Sequence, residues 1–248
     1  MNRIIAVSGG KDSTALALRM AELYPGEDFD YVCTPTGNEL TEMVAHMQNL
    51  ERLLGKEIRR IELYQGKDGL FELIKDQKMI PNYRARFCTR MLKIEPMIAY
   101  LKSQSPCVQY VGLRADEEAR IGIYGEMPGV EQSYPMQAWG WGIDEVWEYL
   151  KGKDVSIPWR TDCGLCFFQR LDEWKSLLYN NPGAYAHGEE IEAMVGKTFR
   201  SASRDTWEAS LAGLRQEFED GRELRASAAS KRANENCDRD MLCRVCTL

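Results

Sequence analysis

Residues 7–14 read Val7-Ser8-Gly9-Gly10-Lys11-Asp12-Ser13-Thr14, and the fold follows from what stands on either side of them. Upstream, residues 3–7 form an apolar run short enough for a buried strand. Downstream, residues 13–24 set Leu16, Leu18, Met20, Ala21 and Leu23 along an apolar stripe, which predicts a helix. A strand that ends in Ser-Gly-Gly and hands over to a helix is built for phosphate. Glycines let backbone N–H groups converge on one concavity, and the helix N-terminus adds positive potential. Ser8 and Ser13 supply hydroxyls and Lys11 a charge, while the Walker A spacing and the dinucleotide fingerprint are both absent. The plainer alternative is a Gly-Gly turn capped by Asp12. The length of the run and its place at a strand–helix junction argue against it.

Working outward, residues 30–33, 57–63, 108–113 and 132–136 read as further strands. Residues 39–54, 70–75, 92–101 and 143–150 carry helical periodicity. This alternation predicts an α/β fold: a doubly wound parallel sheet of about five strands with helices on both faces. Ligands in such sheets bind at the carboxyl ends of the strands, where residues 8–13, 36–39 and 113–117 fall. From about residue 158 the strands stop. Helices are expected at 172–180, 189–195 and 206–220, with a polar, Ala/Ser-rich connector over 222–236. The expected division is a nucleotide-binding domain over 1–157 and a helical, cysteine-bearing extension over 158–248.

The chain has 248 residues, 44% of them hydrophobic and 28% charged, enough for one substantial core plus an appendage. Its net charge of −6 lacks the basic footprint of a nucleic-acid binder, so a nucleic-acid substrate is not indicated at the whole-chain level. The N-terminal apolar stretch is too short for a secretory segment and no run approaches bilayer length, so a cytoplasmic protein without membrane contact is expected. In that reducing compartment eight cysteines point to metal or redox chemistry.

The 7–14 run resembles the signature of the PP-loop ATP pyrophosphatase superfamily, the adenine nucleotide alpha hydrolase-like proteins with their HUP-like sheet. Three more stretches resemble its phosphoadenosine phosphosulfate (PAPS) reductase-like branch. Thr36-Gly37-Asn38-Glu39 is similar to that branch's Asp-Thr-Gly segment, with Pro35 where the Asp would stand. Gly112-Leu113-Arg114-Ala115-Asp116-Glu117, followed by Arg120, is similar to its Gly-Ile-Arg segment. Cys88-Thr-Arg-Met-Leu-Lys93-Ile-Glu-Pro96 is similar to the Cys-Cys…Arg-Lys-Val-Glu-Pro segment of iron–sulfur adenylylsulfate (APS) reductases. The resemblance covers roughly residues 1–175. It implies adenine-nucleotide binding by Ser8, Gly9, Gly10, Lys11, Asp12, Ser13, Thr14, Thr36, Gly37, Asn38, Glu39, Gly112 and Arg114. Lys11, Asp12 and Arg114 would act in the chemistry. The alternative for Arg114 is a surface charge after a strand, and Asp116–Arg120 is most simply a solvated turn.

Cys163-Gly-Leu-Cys166 and Cys243-Arg-Val-Cys246 are both CxxC pairs, each able to bring two thiolates onto one metal. The two pairs alone could close a zinc site. The resemblance implies instead a [4Fe–4S] cluster on Cys88, Cys163 and Cys166. The second cysteine of the family's Cys-Cys pair is missing, because Phe87 and Thr89 flank Cys88. Cys243 or Cys246 then completes the set, or one iron stays open for sulfur. Cys33 and Cys107 read as small buried hydrophobes. His46 and His187 have no ligand spacing, and Trp139, Trp141, Trp147, Trp159 and Trp174 read as packing residues.

Two enzymatic readings and one other follow. The first is ATP-dependent adenylyl transfer with α–β cleavage, activating a substrate for sulfur transfer. Mg²⁺ would be held by Asp12 or Glu39, and a sulfur donor or redox protein would be a partner. The undegraded Ser-Gly-Gly-Lys-Asp-Ser run favours it. The second is a PAPS or APS reductase releasing sulfite, but the family's Glu-Cys-Gly-x-His segment is absent. The third is a non-catalytic, zinc-stapled nucleotide-binding subunit.

Overall fold

The computed structural model describes residues 1–117 and 126–224. Arg120, Cys243, Cys246 and most of the expected connector lie outside those residues. Five strands, β1 (Asn2–Ala6), β2 (Phe29–Cys33), β3 (Arg59–Arg60), β4 (Cys107–Tyr110) and β5 (Val130–Ser133), form one sheet in the order β3-β2-β1-β4-β5. Every pairing is parallel, with Ile5 beside Tyr31 on one side and Tyr110 on the other.

The chain winds outward from β1 through β2 to β3, then returns to place β4 on β1's other side. Order therefore reverses between β1 and β4, which opens a crevice at their carboxyl ends. Side chains alternate across the sheet. Ile5, Val7, Phe29 and Tyr31 pack with α1 (Lys11–Leu23), α2 (Thr41–Leu54) and α7 (Ile143–Lys151). Ile4, Val32 and Cys107 face the opposite way, onto Met97 and Leu101 of α5 (Glu95–Ser103). The sheet is doubly wound, as the pattern predicts.

Several boundaries differ for physical reasons. The third strand shrinks to two residues because it is an edge strand with β2 as its sole neighbour, paired at Val32–Arg59 and Cys33–Arg60. The fifth stops at Ser133 because Pro135, with no N–H to donate, opens the short helix α6 (Pro135–Ala138). The helix expected at 92–101 begins earlier, with α4 (Phe87–Thr89), runs through a π turn over Arg90–Ile94 and continues as α5. Pro96 accounts for the π turn. Its ring crowds the carbonyl four residues back, and the N–H of Glu95 bonds five back to Arg90.

Beyond the sheet lie α8 (Leu171–Asn180), α9 (Pro182–Val195) and α10 (Leu211–Glu219). Helix α9 starts seven residues before the expected 189, because Pro182 sits comfortably in a first turn. Helix α10 starts at Leu211 rather than near 206 because the Ser210 hydroxyl caps the N–H of Gly213. These helices share a core with α3 (Gly69–Gln77): Trp174, Leu177, Tyr185 and Leu214 pack in one cluster with Leu70, Leu73 and Ile74. Trp139, Trp141, Trp147 and Trp174 pack as expected. Trp159 does not: it is 46% exposed, because its neighbour Arg160 takes the inward position in an extended segment. Among the described residues no helix is long and apolar enough to cross a membrane.

Glu192 ties the last helices together, its two carboxylate oxygens accepting from Phe199 N–H at 2.8 Å and Leu211 N–H at 2.6 Å. Burial pushes its carboxyl up to about 7 despite those donors. The folded-state value lies above that of an unfolded glutamate, so its stabilising share is full below about pH 4 and is lost as pH rises through 7. Stability to denaturant should therefore fall from about pH 5 to about pH 8 and do so less steeply in Glu192→Gln. Parallel profiles for the two proteins would contradict this assignment.

Candidate functional site

The crevice between β1 and β4 holds a cavity of about 440 Å³, in the range of small-molecule sites. Its floor is the turn at residues 8–13. Gly9 has φ +78°, open to glycine without strain, and Gly10 is the extended N-cap of α1. The Ser8 N–H donates to Ser13 Oγ at 3.1 Å, and that hydroxyl donates to the Gly10 carbonyl at 3.1 Å. These bonds close the turn on itself. Gly112, after β4, comes so near that a Cβ would stand 3.2 Å from the backbone of Asp12 and Ser13. The chain after β4 and the first turn of α1 thus meet backbone to backbone.

Lys11 is 1% exposed yet lines the cavity, and its Nζ lies 3.6 Å from Asp12 Oδ2. Burial lowers the Lys11 amine below its ordinary value and raises the Asp12 carboxyl, outweighing the pairing at both. Arg114 does not reach the cavity wall. Its guanidinium donates to both Asp12 oxygens at 3.2 and 3.1 Å and to Asp116 at 2.8 Å, with Glu117 3.8 Å away. Arg114 thereby positions Asp12.

The remaining expected residues divide. Ser8, Gly10, Lys11, Asp12, Ser13, Gly37, Glu39 and Gly112 line the cavity. Thr14 faces α2, its hydroxyl 3.2 Å from His46 Nε2. His46 Nδ1 lies 3.1 Å from the Ser156 carbonyl, which has no proton to give, so Nδ1 carries the hydrogen and Nε2 accepts from Thr14. Burial lowers the His46 pKa, in keeping with a neutral ring. Glu39 is committed to its own turn, accepting from Thr36 N–H and Oγ1 at 2.7 Å and from Gly37 N–H at 3.0 Å. Asn38 turns away, toward Gly164 and Leu165.

A second, small cavity adjoins the first. Cys88, Cys163 and Cys166 line it, and Thr89, Lys93 and Cys163 belong to the walls of both. Burial pushes the Cys88 thiol up to about 11, and Cys163 is raised by its hydrogen bond to Cys166 and by burial. Lys93 pulls both back toward the thiolate. Among the described residues no three His, Cys, Asp or Glu side chains stand close enough to hold a single metal ion. A cubane takes one thiolate per iron and spreads its ligands more widely, so three thiols around one cavity fit it better than they fit mononuclear zinc.

Sequence reasoning missed the residues that hold the backbone of the Cys163–Cys166 pair. Arg160 donates to Gln169 Oε1 at 2.7 Å and to the Cys163 carbonyl at 3.1 Å, and Gln169 Nε2 donates to the Gly164 carbonyl at 2.6 Å. Their placement three residues before and three after the Cys-x-x-Cys was the available signal.

A model of the phosphoadenosine phosphosulfate reductase domain matches residues 2–159. An uncharacterized protein of Methanocaldococcus jannaschii is 28% identical over 207 residues, 76% of this chain and 41% of that protein. The chain thus spans about two-fifths of the length of the curated relative it matches. Among solved structures, phosphoadenylyl-sulfate reductase from Candida auris, in its phosphate complex, superposes with a TM-score of 0.51 at 14% identity, over 63% of this chain and 75% of that one. The U34-tRNA thiolase NcsA from Methanococcus maripaludis, with its [4Fe–4S] cluster, gives 0.47 at 16% identity, over 100% and 80%. The first of these likenesses supports the fold.

Gly112→Ala tests the backbone contact at the cavity floor. A methyl group there is expected to cost about 1–3 kcal/mol of stability and to weaken ATP binding by calorimetry. Unchanged affinity and unchanged stability would show that the chain after β4 and the first turn of α1 do not meet as described.

Proposed function

This chain belongs to the phosphoadenosine phosphosulfate reductase domain family, and on that premise we propose that it binds an adenine nucleotide and uses it in sulfur chemistry. The finer reading is ATP-dependent adenylyl transfer. A substrate oxygen attacks the α-phosphorus, the α–β bond breaks and pyrophosphate leaves. A sulfur nucleophile then displaces AMP from the activated carbon.

One observation carries this reading: the cavity floored by the phosphate turn and the pocket lined by three cysteines share Thr89, Lys93 and Cys163. A nucleotide on that floor would present its activated partner toward the thiols. The N–H groups of α1's first turn and the Lys11 ammonium would hold the phosphates, fixed before charge develops on them. Arg114 would keep Asp12 oriented. The side chains that line the cavity carry three cations, Lys11, Arg60 and Lys93, against four carboxylates, Asp12, Glu39, Glu62 and Glu117. They cannot neutralise a phosphate chain, which argues that Mg²⁺ enters with the nucleotide beside Asp12. Glu39, held in its own turn, fits that role less well. Cys88, Cys163 and Cys166 would hold a [4Fe–4S] cluster, whose supply to the site would be an iron able to carry sulfur. Binding it requires loss of the thiol protons, which Lys93 eases.

The family match itself favours a second reading, reduction of PAPS or APS. In it a thiol of the same wall attacks the sulfuryl sulfur, and the nucleotide leaves as its S–O bond breaks. A second thiol then releases sulfite as a disulfide forms. Anaerobic preparation, iron and sulfide analysis, and incubation with each nucleotide separate the two. ATP is expected to give AMP and pyrophosphate, with the rate falling on the order of 10²–10³-fold in Lys11→Ala. Sulfite from PAPS without ATP cleavage would replace the first reading by the second.

A further inference from the structure

Asn38 stands in the turn that forms one wall of the nucleotide cavity, between Gly37 and Glu39, yet it does not line that cavity. Its backbone carbonyl accepts from Gly164 N–H at 2.6 Å, and its Oδ1 accepts from Leu165 N–H at 2.8 Å. Its Nδ2 donates to Asp68 Oδ2 at 3.1 Å. A donor on one side and an acceptor on the other fix which end of the amide faces which partner. Gly164 accommodates the approach, since a Cβ there would stand 3.2 Å from the Asn38 carbonyl.

Asp68 is itself held. As N-cap of α3 it accepts from Phe71 N–H at 2.9 Å through Oδ1, leaving Oδ2 for Asn38 and for His187 Nε2 at 3.2 Å. The His187 ring lies edge-on to Phe71, with centroids 5.0 Å apart. The next residue of α9, Gly188, lets the helix press on the cysteine loop: a Cβ there would stand 2.7 Å from both Leu165 and Leu211. Asn38 therefore holds the backbone between Cys163 and Cys166, Asp68 and His187 hold Asn38, and α9 packs on the Leu165 side chain.

We propose that His187, Asp68 and Asn38 form a relay of positioning residues that sets the Cys163–Cys166 loop against the wall of the nucleotide cavity. Asn38 thus serves the cysteines rather than the nucleotide. The inference rests on the reading of that loop as the sulfur side of the site, and it extends the site to α9. Such a relay restrains two reactive groups through their backbone, the usual way a supporting shell fixes a functional constellation. Losing a hydrogen bond to a buried group shifts local opening by roughly tenfold.

The test uses the reduced, metal-free protein and iodoacetamide, with alkylation of each cysteine followed by mass spectrometry. Cys33 and Cys107, buried in the sheet, report any general opening of the fold. In Asn38→Ala and His187→Ala the alkylation of Cys163 and Cys166 is expected to rise about tenfold while Cys33 and Cys107 stay protected. His187→Gln, which keeps a donor for Asp68, should return to the wild-type rate, whereas packing alone would not be restored this way. Wild-type rates in both alanine variants would overturn the relay. If Asn38→Ala also exposes Cys33 and Cys107, the fold has opened. The half-exposed His187 pair then decides: a rise in His187→Ala with recovery in His187→Gln upholds the relay, and equal rates in the two overturn it. The readout needs neither ATP nor iron, so its failure and the failure of the adenylyl-transfer reading are told apart.

Discussion

The backbone just after β4 lies against the backbone of α1's first turn, and this crowding governs the site. Gly112 can approach Asp12 and Ser13 because it lacks a side chain, and Gly9 can turn the chain because φ +78° costs it little. The consequence is a concavity floored by residues 8–13, with Lys11 drawn into the wall instead of out to water. A larger residue at either glycine would push the β4 loop or α2 outward and open the floor. The parallel order β3-β2-β1-β4-β5 supplies the crevice, and the glycines let the chain fill it without closing it.

Electrostatics then sets what the floor can do. Burial opposes charge on Lys11 and Asp12 alike, so each depends on its neighbours to remain ionised. Arg114 contributes by gripping Asp12 with two hydrogen bonds. On the far side of the shared wall the balance runs the other way. Burial keeps Cys88 and Cys163 protonated, and Lys93 is the nearby charge that favours their thiolates. A positive group is therefore common to the walls of both cavities and favours the thiolates of the smaller one.

Much of this was legible in the sequence, because local rules decide it. Short apolar runs and helical apolar patterns predicted about five strands in a parallel sheet and most helices. The glycine run located the floor, and spacing identified Cys163 and Cys166. What escaped was whatever depends on distant partners. Arg114 reads as a phosphate ligand by position, but Asp12 lies nearer and takes its fork. Asn38 sits in a nucleotide-side turn by sequence, yet its side chain answers to Leu165 and Asp68, residues 127 and 30 positions away. His187 shows no metal spacing and so looks idle until α9 is packed against α3. Helix starts at Pro182 and Leu211 were misjudged because capping by Pro and Ser overrides a polar pattern.

In the function proposed above a nucleotide and a thiol share one wall. The most direct measurement is the alkylation rate of Cys163 in reduced, metal-free protein as ATP is raised. A saturable slowing that disappears in Lys11→Ala is predicted, because Cys163 lines the cavity that Lys11 floors. A Cys163 rate indifferent to ATP at concentrations that fill the site would contradict it.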